Sequence, residues 1–156
     1  KNSMLSSILL VEDDNHKRNS IIQFMEEVFP NTHTRVAASL MSGIKSVRQF
    51  IPDAILLDMT LPNFDTKDGE TGGGMHAFGG VEFLKQLKRR KLNVPTIVIT
   101  QFETFGQPPN LKDLPELDAE LHEAFSPAYL GAVYYHASIS DWTNALKTLL
   151  DKVDHA

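Results

Sequence analysis

The chain has 156 residues, enough for one domain with a real core. Hydrophobic residues make up 42% and charged residues 22%, the balance of a soluble globular fold. The net charge of -5 argues against direct nucleic-acid binding, because no Lys/Arg-rich surface is evident to match phosphates. Disulfides and thiol catalysis are excluded, since there is no cysteine. No apolar stretch approaches the ~20 residues of a membrane span, and no signal-peptide pattern is visible. A cytoplasmic protein with no membrane partner is expected.

The first element is the apolar run Ile8-Leu9-Leu10-Val11, followed at once by Glu12-Asp13-Asp14. Runs this short and rich in Ile, Val and Leu read as buried parallel strands. Asn15 to Phe29 reads as a helix, with Ile21, Ile22, Met25, Val28 and Phe29 on one face, and Asp14 or Asn15 is its expected cap. Arg35 to Ala38 is a short second strand, and Leu40, Ile44, Val47 and Ile51 keep helical spacing up to Pro52. The third strand, Ala54 to Asp58, again ends in an acid. Val81, Leu84 and Leu87 mark a third helix, and Lys88-Arg89-Arg90-Lys91 suits its solvated last turn. Thr96 to Thr100 is the fourth strand. Leu117, Leu121 and Phe125 suggest a fourth helix with an acidic outer face of Glu116, Asp118, Glu120 and Glu123. Ala132 to His136 is the fifth strand, and Trp142, Ala145, Leu146, Leu149, Leu150 and Val153 define the fifth helix.

Two segments interrupt this economy. Residues 63–80 hold six of the nine glycines, and residues 101–116 hold three of the eight prolines. Gly72-Gly73-Gly74 lacks the Gly-Lys-Ser/Thr of a phosphate-cradling loop, and Asp65-Thr66-Lys67-Asp68-Gly69 lacks the alternate-position carboxylates of a calcium loop. A solvated loop is expected there. A sharper alternative is a lid over Asp58 carrying Lys67 as a cation. The six histidines show no ligand spacing.

Strictly alternating strands and helices imply one α/β domain over residues 5–154, a doubly wound parallel sheet with helices on both faces. Acids that end such strands land at the carboxyl edge of the sheet, where open α/β folds bind ligands. Carboxylates crowded there repel one another unless a cation sits between them. A divalent metal and a reacting carboxylate follow as the working hypothesis.

In these motifs the chain resembles a response-regulator receiver domain, a phosphoacceptor module of two-component signal transduction. The resemblance runs from about Ile8 to Val153. Its carriers are Ile8-Leu9-Leu10-Val11-Glu12-Asp13, Leu56-Leu57-Asp58-Met59-Thr60-Leu61-Pro62, Gly80-Val81-Glu82-Phe83-Leu84, Thr100, Gly131-Ala132 and Tyr135. It implies a five-stranded flavodoxin-like sheet of order 2-1-3-4-5 and phosphorylation of Asp58. It also implies Mg²⁺ held by Asp13, Asp58 and the Thr60 carbonyl, with Glu12 reaching the metal directly or through water. Thr100 would hydrogen-bond the phosphoryl group. Its movement would let Tyr135 turn inward as an aromatic switch, signalling to the face of helix 4, strand 5 and helix 5. The implied partners are a histidine kinase or phosphotransfer protein, and an output protein or a second copy docked on that face. No output domain is expected after the fifth helix, so the output is expected to lie in a partner, a dimer or a region missing from this sequence. The acidic fourth helix is a further candidate docking surface.

Two departures accompany the resemblance. The lysine that the family places after strand 5 falls at Ser138, and no Lys or Arg occurs between Lys112 and Lys147. Gln101 follows Thr100 where a very small residue is usual. The alternative reading is therefore a pseudo-receiver, a phosphorylation-independent interaction module. A third is an Mg²⁺-dependent phosphohydrolase, which also uses strand-end aspartates. Beyond self-phosphorylation and dephosphorylation of Asp58, no enzymatic activity is expected.

Overall fold

The computed structural model describes residues 5–65 and 75–155. Five strands form one all-parallel sheet: β1 (Ser7–Val11), β2 (His33–Ala37), β3 (Ala54–Leu57), β4 (Thr96–Thr100) and β5 (Tyr129–Tyr134). Their spatial order is β2-β1-β3-β4-β5, the expected doubly wound arrangement. The connecting helices are α1 (Asn15–Val28), α2 (Leu40–Gln49), α3 (Gly79–Arg89), α4 (Leu114–Phe125) and α5 (Asp141–Asp154).

Because side chains alternate along a strand, the apolar runs serve two cores at once. Leu9, Val11, Ile55, Leu57 and Val98 face a layer built by α2, α3 and α4. Ile8, Leu10, Leu56, Ile97 and Ile99 face a layer built by α1 and α5. A strand buried on both faces cannot show a polar alternation, which is why these segments read as unbroken hydrophobic runs.

The edge strands depart from the sequence expectation. β2 runs Ser7↔His33 to Val11↔Ala37, starting two residues earlier than expected and ending one earlier. Its residues are mostly polar and half-exposed, so apolar content marks it weakly. β5 begins at Tyr129 rather than Ala132. Pairing with β4 jumps from Thr96↔Tyr129 to Ile97↔Gly131, so Leu130 is an extra bulge residue. Gly131 has φ 154°, a backbone conformation that other residues rarely adopt. A glycine there reads as a breaker in the sequence, yet the strand passes through it. Ile51 is 56% exposed, because α2 ends at Gln49.

The two long segments are partly structured. Leu61–Pro62 pairs antiparallel with Met75–His76, and α3 already begins at Gly79. Residues 66–74, including Lys67 and Gly72-Gly73-Gly74, lie outside the described residues. Thr104–Phe105 pairs with Lys112–Asp113, and Asp113 then caps α4 in a reciprocal capping box with Glu116. No helix among the described residues is long and apolar enough to cross a membrane.

Candidate functional site

The sheet's hydrogen bonding continues one residue past the strands, and this brings the acids together. Glu12 N–H donates to Ala37 O at 2.9 Å, Asp58 N–H to Val11 O at 3.0 Å, and Tyr135 N–H to Thr100 O at 2.7 Å. Glu12, Asp58 and Tyr135 are thus held in strand register at the carboxyl edge. Glu12, Asp13 and Asp58 each offer a carboxylate oxygen, all within 4.8 Å of one another. Glu12 is 0% and Asp58 4% exposed, while Asp13 is half-buried.

Glu12 Oε2 accepts from Asp14 N–H at 3.1 Å. The Asp14 side chain in turn accepts from Lys17 N–H at 2.8 Å and caps α1, as one sequence alternative held. Three oxygens of one polarity in so little space need a positive partner. The structure provides one that sequence reasoning missed. Lys17 Nζ lies 2.7 Å from Glu12 Oε1 and 3.2 Å from Asp58 Oδ1, and donates to Ile99 O at 2.7 Å. The Lys17 side chain is 1% exposed. Glu12 Oε1 and Asp58 Oδ1 are both buried with no well-angled hydrogen-bond partner, so the ammonium in front of each is their compensation. A signal was available: Lys17, Ile21, Phe24 and Met25 share the buried stripe of α1 at positions i, i+4, i+7 and i+8.

Burial governs the acids' ionisation. Desolvation pushes the Glu12 carboxyl up to about 8; Lys17 opposes that shift and Asp58 adds to it. Burial, then the charge of Asp58, likewise raises Asp13 above the ordinary aspartate range. The donor set is all carboxylate oxygen, partly open through Asp13, and it suits a hard cation such as Mg²⁺ that keeps several waters.

The remaining expected residues divide. Thr100 is fully buried at the end of β4, and its Oγ1 accepts from Phe102 N–H at 3.2 Å. Thr60 is half-buried two residues beyond Asp58, and Gln101 is exposed. Ser138 is turned outward: it is exposed, in the turn closed by the His136–Ile139 bridge, and borders a groove between α1 and α5. It does not fill the place of a cation. Tyr135 is already buried, on the α1/α5 side of the sheet, with its ring centroid 5.1 Å from that of Trp142 and 6.0 Å from Lys17 Nζ. Its ring thus already lies inward, in the layer of α1 and α5. Tyr134 is the exposed tyrosine of this strand.

With the sheet and its acidic edge established, comparison with known proteins is decisive. The family model for the response regulator receiver domain matches residues 8–113. The chain belongs to the response-regulator receiver family. This receiver domain is 36% identical over 141 residues to the uncharacterized protein y4jR of Sinorhizobium fredii, covering 89% of this chain and 93% of that protein. It is 30% identical over 147 residues to the Detocs response regulatory protein DtcB of Enterobacter cloacae, covering 92% and 98% of the two chains. Among solved structures, it resembles the chemotaxis response regulator CheY4 of Vibrio cholerae, with TM-score 0.62, 18% identity and coverage of 96% and 98%. A CheY-like receiver domain protein from Methanospirillum hungatei gives TM-score 0.60 at 19% identity, covering 97% and 95%. At these identities the structures speak for the receiver fold alone.

Proposed function

We propose that this receiver domain is a phosphoacceptor switch in which Asp58 takes a phosphoryl group, with Mg²⁺, from a histidine kinase or phosphotransfer protein. The observation that carries the reading is the convergence of Glu12, Asp13 and Asp58 within 4.8 Å at the carboxyl edge. A lone pair on an Asp58 oxygen forms the new O–P bond while the donor's bond to phosphorus breaks and its electron pair leaves with the donor. Asp58 attacks as the carboxylate, so no proton has to be removed from it. Asp13, Asp58, the Thr60 carbonyl and Glu12, directly or through water, would hold Mg²⁺, which when bound offsets negative charge on the phosphoryl oxygens. Thr100, buried at the end of the neighbouring strand, is assigned the hydrogen bond to the incoming group. The relatives named response regulatory proteins support a signalling role whose chemistry is confined to gain and loss of this phosphoryl group.

The test is incubation with a small acyl-phosphate donor and Mg²⁺, followed by intact-mass measurement. One phosphoryl adduct is expected, and it is lost in Asp58→Asn. Absence of an adduct from small donors and from a cognate kinase would leave the second reading, a phosphorylation-independent interaction module. The observation favouring that reading is the ion pair itself, because Lys17 already compensates Asp58 at rest.

A further inference from the structure

The region after β5, where the family places a lysine, contributes no cation, while α1 brings one in from the other side. An ammonium has three N–H groups. Ile99 O accepts one of them at 2.7 Å, and Glu12 Oε1 and Asp58 Oδ1 lie at ion-pair distance from the nitrogen, 2.7 and 3.2 Å. Burying a lysine is costly unless it is paired and hydrogen-bonded, so the surroundings of Lys17 amount to a built cation site touching the acceptor carboxylate. A lysine meant only to cover the apolar stripe of α1 would extend its head to water. This one directs its head into the acid cluster.

We propose that Lys17 is the phosphoryl-pairing cation of this domain, delivered from the first turn of α1 in place of a lysine after β5. The inference rests on the reading of Asp58 as phosphoacceptor. Transfer of a phosphoryl group to an Asp58 oxygen replaces a carboxylate charge with a phosphoryl dianion. Lys17 is the cation paired with Asp58 among the described residues, and its ammonium trades a carboxylate contact for a phosphoryl oxygen. Its part is electrostatic, and it moves no proton. The exchange is coupled to the α1/α5 layer, because the Asp14 side chain holds the Lys17 backbone N–H. The Lys17 head also lies 6.0 Å from the Tyr135 ring, which packs on Trp142, which packs in turn on Phe24 of α1.

The experiment measures two quantities in wild type, Lys17→Met and Lys17→Arg: the rate of Asp58 phosphorylation by a small acyl phosphate, and Mg²⁺ affinity. Methionine matches the length of the stem and removes the charge. Lys17→Met is expected to slow phosphorylation by about 100-fold, the usual order for losing one preorganised electrostatic donor. It should hold Mg²⁺ as tightly as wild type or more tightly, since a competing cation is gone. Lys17→Arg should recover part of the rate. Equal loss of rate and of Mg²⁺ binding would mark Lys17 as structural only and overturn the proposal, as would an unchanged rate. If Lys17→Met does not fold, the wild-type protein decides: the ¹⁵N resonance of the Lys17 ammonium must shift when beryllofluoride and Mg²⁺ are added, and a fixed resonance overturns the assignment. Failure of the underlying reading looks different, because wild type itself then takes up no phosphoryl group, and the assignment of Lys17 falls with it.

Discussion

Glu12 is the residue at which burial, charge and pH meet. Its carboxyl titrates near 8 in the folded domain against 4.5 as the ordinary value, with desolvation the largest cause. A raised folded pKa means that the native state binds the extra proton. The stability this supplies is complete below pH 4.5 and disappears as pH rises through about 8. The metal-free domain should therefore lose melting temperature across that window. Mg²⁺ prefers the ionised acid, so its affinity should rise over the same window and its stabilising effect should be largest at the alkaline end. Thermal unfolding at a series of pH values, with Mg²⁺ and with a chelator, checks both signs, and Glu12→Gln should flatten the Glu12 component. The acids were legible in the sequence, because each abruptly ends an apolar run. Lys17 was not. A lysine in the first turn of a helix is ordinarily solvated, and of the three groups that hold this one inward only Glu12 is near in the chain; Ile99 O and Asp58 arrive from other strands.

At the scale of single elements, α1 is the one whose placement sets the site. Asp14 accepts from the Lys17 backbone N–H, and Glu12 Oε2 accepts from Asp14 N–H, so strand end, cap and cation form one hydrogen-bonded unit. Asp14→Ala should cost about 1 kcal/mol in chemical denaturation, the usual worth of an N-cap, whereas Asp14→Ser should recover most of it. Loosening the first turn should also weaken the hold on Lys17, so the same variant is expected to slow phosphorylation of Asp58 while Asp14→Ser does not. The loop after β3 has a comparable constraint. A Cβ on Gly80 would lie 2.9 Å from the Asp58 carbonyl oxygen and from the Met59 methyl. Gly80→Ala must push the start of α3 away from the loop after Asp58, and a lowered melting temperature with reduced Mg²⁺ affinity is the expected result. The acidic face of α4, legible in the sequence as a row of charges, is largely engaged within the domain. Glu116 closes the capping box, Asp118 accepts from the Tyr129 hydroxyl at 2.6 Å, and Glu120 pairs with Lys112. Charge spacing along a helix cannot reveal partners that arrive from another strand.

For the whole molecule, the central question is which of the two core layers receives the signal. The doubly wound architecture was readable from the alternation of apolar runs and amphipathic stripes, because it follows from local pattern. The face that each strand-end side chain takes was not, because the bulge at Leu130 and Gly131 is a matter of pairing register. That register places Tyr135 under α1 and α5 and leaves Tyr134 exposed. Trp142 is the chain's single tryptophan and lies against Tyr135 and Phe24, so its emission reports on this layer alone. If the response to phosphorylation passes from Lys17 into this layer, beryllofluoride with Mg²⁺ should change Trp142 fluorescence in the wild-type domain. Tyr135→Leu, which keeps an apolar side chain but removes the ring between Lys17 and Trp142, should attenuate that change. Tyr134→Ala should leave it intact, since that side chain lies outside the stack. Unchanged Trp142 emission in a wild-type domain that does bind beryllofluoride would place the response on the α4 side of the sheet. That outcome would separate the position of the cation from the route by which its movement is read.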